Sequence, residues 1–103
     1  VDDESTKRAM QEVSEQCDVL VCPHTAVGIH AAENIGLTGD EDHDTIVLAT
    51  AHAAKFGDVV RETTGKEPQI PESLRGCLNK TKQSIGLPAT YDALKAYLME
   101  SRL

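Results

Sequence analysis

Hydrophobic and polar positions along this chain follow two periods, and one gives way to the other near its middle. Residues 45–50 (TIVLAT) are β-branched or apolar with almost no polar alternation, the pattern of a strand buried on both faces. Beyond them Phe56, Val59, Val60 and Thr63 recur at three- and four-residue spacing, a helical stripe ended by Gly65. Thr50, Ala51 and His52 therefore sit between the carboxyl end of a strand and the amino end of a helix. Open α/β sheets bind ligands at such junctions.

The same reading extends outward in both directions. Residues 1–16 begin with Asp2, Asp3 and Glu4, suited to the positive end of a helix dipole, and continue with Ala9, Met10, Val13 and Cys17 on one face. Residues 18–22 (DVLVC) form a second short strand, with Cys22 held extended by Pro23. A helix over residues 25–35 carries Gly28, Ala31 and Ala32, small enough for close packing, and Gly36 is its C-cap. Residues 39–44 form an acidic loop, and residues 66–71, with two prolines, an irregular connection. A helical turn over residues 73–78 and a basic loop over residues 79–84 follow. Thr90 then caps a last helix with Tyr91, Leu94, Tyr97 and Leu98 on one face.

This order predicts an α/β fold, a βαβα unit whose two short parallel strands are joined by a right-handed crossover and flanked by helices. Two apolar strands have bare edges and too few neighbours to stand alone. Residues 1–103 are accordingly expected to be one segment of a larger α/β protein.

Composition changes the picture mainly by exclusion. A net charge of -7 leaves no basic footprint for nucleic acid. No apolar run approaches the ~20 residues of a membrane span, and no signal-peptide pattern opens the chain. Three cysteines are an odd count without disulfide-framework density, which fits a reducing, cytoplasmic setting. Cys17, Cys22, His24, His30, His43 and His52 supply ligand types but no C-x-x-C or H-x-x-x-H pair, so no metal site is expected. The acidic loop likewise lacks calcium-loop spacing.

CPHTAVGIHAA (residues 22–32) and ATAHAAKF (residues 49–56), in this order and at this separation, resemble the C-terminal part of threonine synthase. The resemblance covers most of the chain and rests on two long motifs agreeing together. It implies a segment of the three-layer, tryptophan-synthase-like fold called fold type II, with pyridoxal phosphate as cofactor. Cys22 stands where the family usually carries aspartate, and Ala53 where it carries proline. The second departure is mild, because proline there only pre-sets a first helical turn. The first removes a charge beside the site.

By the same resemblance, Thr50 is the hydroxyl that lies beside the pyridine nitrogen of the cofactor. A neutral hydroxyl, unlike a carboxylate, does not stabilise a protonated ring nitrogen and so tempers the cofactor as an electron sink. On residues alone, a threonine ending a strand and capping the next helix, common anywhere, is the better explanation of Thr50. His52, His24 and Thr25 are further candidates for the cofactor pocket, against the simpler roles of fixing a turn or capping a helix. Lys55 is not the Schiff-base lysine, which the family places upstream; an anion contact or a surface position suits it better. No catalytic residue is expected within this segment. The parent activity implied is conversion of O-phosphohomoserine and water to threonine and phosphate, and the partner implied is the remainder of that enzyme. The competing reading is a catalytically drifted relative used for binding or interaction, with Cys22 a mark of the drift.

Overall fold

The computed structural model describes residues 1–39 and 41–101. Five α-helices occur among them: α1 (Asp3–Cys17), α2 (Pro23–Asn34), α3 (Gly57–Thr64), α4 (Glu72–Leu78) and α5 (Tyr91–Glu100), with a 3-10 turn, Ala53–Phe56, leading into α3. The helix ends follow local chemistry. Asp2 caps α1 by accepting the Ser5 amide at 2.8 Å. Gly36, at φ 72°, closes α2 with Leu37 N–H donating to the Ala32 carbonyl and its own N–H to Glu33, the paired bonds of a Schellman ending. Gly65, at φ 70°, closes α3 through its N–H to the Arg61 carbonyl. Thr90 caps α5 by accepting from the Ala93 amide at 3.3 Å.

The expected α/β fold is not what forms. No strand and no sheet exist among the described residues, and the parallel βαβα arrangement is replaced by an all-helical one. Residues 18–22 and 45–50 are irregular, and no backbone hydrogen bond joins them among the described residues. The physical reason is that a strand is a relation between two chains of peptide groups. An apolar run by itself satisfies none of its N–H and C=O groups. Ile46 and Leu48 are 84% and 76% exposed, so the run predicted to be buried on both faces is largely bare. The predicted acidic loop over residues 39–44 includes Asp40, which lies outside the described residues.

A small core holds the amino-terminal two-thirds together. Met10 of α1 and Val60 of α3 have no exposed surface, and Ala9, Ala26 and Ala53 fill in around them. Leu20 and Val21, from the predicted first strand, pack against this cluster. A strap crosses it outside: Lys66 Nζ donates to the Ser14 carbonyl at 3.2 Å and to the Asp18 carboxylate at 2.8 Å. This joins the end of α1 to the loop after α3. Asp18 occupies the left-handed region at φ 53°, which ends α1. Its Lys66 hydrogen bond holds the Asp18 carboxyl below its ordinary value.

Helices α4 and α5 contribute nothing to that core, and neither has a buried residue. The chain exposes 8299 Å², whereas a compact monomer of 11.1 kDa exposes about 5,700 Å². Its radius of gyration is 18.3 Å, against about 13 Å for a compact domain of this length. The isolated chain is therefore expected to be marginally stable, with a shallow thermal transition by circular dichroism and binding of hydrophobic dyes. A sharp cooperative transition well above about 65 °C would contradict this.

Candidate functional site

The two turns singled out in the sequence meet at one end of the core. In the first, Cys22 is the N-cap residue of α2, Pro23 takes the first helical position, and His24 and Thr25 follow in the first turn. In the second, His52 caps the 3-10 turn, its Nδ1 accepting the Ala54 amide at 3.1 Å. Ala53, buried beneath it, ties that turn to the core. The His24 and Phe56 rings, one from each turn, lie 5.0 Å apart at 57°, a tilted contact. Farther along, α2 passes close over residue 47. A Cβ placed on Gly28 would stand 3.0 Å from Val47 Cγ1, so glycine permits the approach.

In the first turn Cys22 is buried, 1% exposed. Its sulfur lies 3.2 Å from the hydroxyl of Thr25, which is also buried. Burial pushes the thiol up, but the Thr25 hydroxyl and the amides of Thr25, His24 and Ala51 outweigh it. The Cys22 thiol accordingly lies below its ordinary value of 9.0.

The four predicted site residues divide by environment. Thr50 is exposed, and its hydroxyl has no hydrogen-bond partner among the described residues. His52 is exposed too; with Nδ1 engaged as an acceptor, its neutral ring presents Nε2–H outward. His24 is exposed and packed on Phe56. Thr25 differs: its hydroxyl is spent on Cys22. Sequence reasoning missed that Cys22 would be buried against the Thr25 hydroxyl. It also missed Phe56 as the partner of His24.

Beside the second turn, a cleft of about 290 Å³ opens between the 3-10 turn and α4, lined by His52, Lys55, Pro71, Ser73, Leu74 and Cys77. A larger hollow near Lys82 and Tyr97 includes no residue of either turn. Among the described residues, no group of His, Cys, Asp and Glu is arranged to hold a metal ion.

Residues 25–98 match the family described as "Threonine synthase, C-terminal". The threonine synthase of Corynebacterium glutamicum is 34% identical over 90 residues, covering 87% of this chain and 18% of that protein. The Escherichia coli threonine synthase is 32% identical over 99 residues, covering 96% of this chain and 22% of the relative. The crystal structure of that protein superposes with a TM-score of 0.80 at 30% identity, covering 99% of this chain and 23% of the solved one. A PLP-bound threonine synthase from Brucella melitensis superposes with a TM-score of 0.66 at 29% identity, covering 95% of this chain and 21% of that one. This chain thus spans about a fifth of the length of the proteins it matches.

The buried sulfur has a chemical signature. In the 103-residue chain at 10 °C, a thiol reagent is expected to label Cys17 and Cys77, both exposed, at least about tenfold faster than Cys22. Equal rates would contradict the burial of Cys22. The lowered thiol also sets a pH dependence. A group whose folded value is depressed adds stability above that value, in full above 9.0, and adds none below it. The stability difference between wild type and Cys22→Ala should widen from pH 7 to pH 9, as read by urea denaturation.

Proposed function

This chain belongs to the threonine synthase C-terminal family, and on that footing we propose that it is the C-terminal part of an enzyme converting O-phosphohomoserine and water to threonine and phosphate with pyridoxal phosphate. The observation that carries the reading is the meeting of the two motif turns at one exposed end of the core, Thr50 and His52 beside His24. When bound, pyridoxal phosphate supplies the electron sink that carbanion chemistry at an amino acid requires.

The donor set on this chain suits that cofactor. Thr50 offers a neutral hydroxyl that no described residue claims, so it is free to hydrogen-bond a pyridine nitrogen. Being neutral, it leaves that nitrogen without the stabilisation a carboxylate gives a protonated ring. His52 offers Nε2–H from a ring whose orientation the Ala54 amide fixes. The His24 ring is held against Phe56 of the second turn. Thr25 acts one layer back, its buried hydroxyl 3.2 Å from the Cys22 sulfur. The bare apolar surfaces of residues 46–48 and α5 are those the remainder of the enzyme covers.

Thr50 separates this proposal from a purely structural reading. In the full-length protein, Thr50→Ala is expected to lower turnover of O-phosphohomoserine by about tenfold to a hundredfold, the worth of one hydrogen bond of ~1–3 kcal/mol felt in the transition state. Cofactor affinity should change much less, and Thr50→Ser should retain most activity. Turnover per bound cofactor, measured beside thermal unfolding, decides the matter. Unchanged turnover in Thr50→Ala would remove Thr50 from the site.

A further inference from the structure

The seam between α1 and α3 carries two adjoining hollows of opposite character. The first, of about 330 Å³, is lined by Glu4, Lys7, Arg8 and Gln11 of α1 and by Glu62 and Thr63 of α3. Positions 4, 7, 8 and 11 share one face of a helix, and here all four are polar. Lys7 pairs with Glu62 at 3.5 Å, and Gln11 Nε2 donates to the Thr63 carbonyl at 3.0 Å. These contacts leave one group of each sign over. Arg8 reaches only the Ser5 hydroxyl, at 3.5 Å, and Asp2 feels its charge through space. Glu4 has no ion pair among the described residues. The two stand four residues apart, the spacing at which glutamate and arginine pair on a helix, yet they do not pair.

The Thr63 hydroxyl is a third group without an answer in the chain. Thr63 is 8% exposed, and its Oγ1 has no hydrogen-bond partner among the described residues. A buried polar atom in that condition is rare and calls for a partner from outside the chain. The second hollow, of about 260 Å³, adjoins the first at Lys7, which lines both. Met10, Pro23 and Val59 give it an apolar lining where α1, α2 and α3 converge.

A guanidinium suits a carboxylate, a carboxylate suits an ammonium group, and the apolar hollow beside them suits a hydrocarbon side chain. We propose that the α1–α3 seam binds a free α-amino acid with an aliphatic side chain. Arg8 takes its carboxylate, with the Thr63 hydroxyl as a further donor, and Glu4 takes its ammonium group. The hollow of Met10, Pro23 and Val59 takes the side chain. Ion pairs between exposed groups contribute little singly, so the apolar hollow supplies most of the discrimination. This site does not depend on the activity proposed above, and it shares none of Thr50, His52, His24 or Thr25. Pro23 opens the turn that bears His24 and Thr25. An amino acid bound at the seam therefore touches that turn without entering the cofactor pocket.

The test titrates the cofactor-loaded full-length protein with L-leucine by calorimetry. Cofactor absorbance is recorded alongside, to register any amino acid that reaches the cofactor instead. Glycine, which lacks the side chain, and leucinamide, which lacks the carboxylate, are the companion probes. Leucine is expected to bind wild type at millimolar concentration or below without changing the absorbance. Glycine should bind about tenfold to a hundredfold more weakly. Leucinamide on wild type, and leucine on Arg8→Gln, should each bind about tenfold more weakly. The proposal is overturned by absence of leucine binding to wild type, or by binding that occurs only with an absorbance change. Equal affinity of wild type and Arg8→Gln for leucine, or of wild type for leucine and either companion, overturns it too. Should Arg8→Gln fail to fold, Glu4→Gln decides: leucine binding weakened about tenfold supports the site, and unchanged binding overturns it.

Discussion

The contact between Met10 and Val60, both without exposed surface, is what the rest of this structure hangs from. It packs α1 against α3, and the small residues Ala9, Ala26 and Ala53 bring α2 and the 3-10 turn in behind it. Burying a methionine and a valine side chain stabilises by about 1.5–3 kcal/mol each. A core of this size organises three helices but not five. Helices α4 and α5 therefore stand away from it, and Leu94 and Leu98 stay 48% and 51% exposed. Exposed apolar faces of this kind mark surfaces made for contact with other protein.

The candidate site sits on this core. Ala53 lies in the core and directly follows His52 in sequence, so the turn bearing Thr50, His52 and Lys55 is fixed from below while its polar groups face outward. The His24–Phe56 ring contact ties the start of α2 to the same place, and Gly28 lets α2 run close along residue 47. Rigid support beneath and unclaimed donors above are what a preorganised binding wall needs.

Much of the local structure was legible in the sequence, because helix ends are set by residues near them. Gly36, Gly65 and Thr90 stop or start helices where expected, and the apolar stripe through Val60 and Thr63 does face inward. The strands were misread for a physical reason. A run such as residues 45–50 reports that a segment is apolar, and a ladder also requires a neighbouring backbone that this chain does not supply. Leu20 and Val21 were apolar for another purpose, packing on the helical core. The family was legible because two long motifs carry it. The division of labour within the site was not. Nothing in the spacing said that the Thr25 hydroxyl would turn inward to Cys22 while Thr50 stayed free, since both are threonines beside a helix start.

The central claim is that this chain folds around a small core and relies on the rest of its enzyme to cover residues 46–48 and the apolar face of α5. Hydrogen exchange, followed by mass spectrometry on the isolated chain and on the full-length protein, tests it most directly. The account predicts that amides of residues 46–48 exchange at least about tenfold more slowly in the full-length protein, with a similar gain across α5. Amides of α1 next to Met10 should already be protected in the isolated chain. Equal exchange at residues 46–48 and α5 in the two proteins would contradict it.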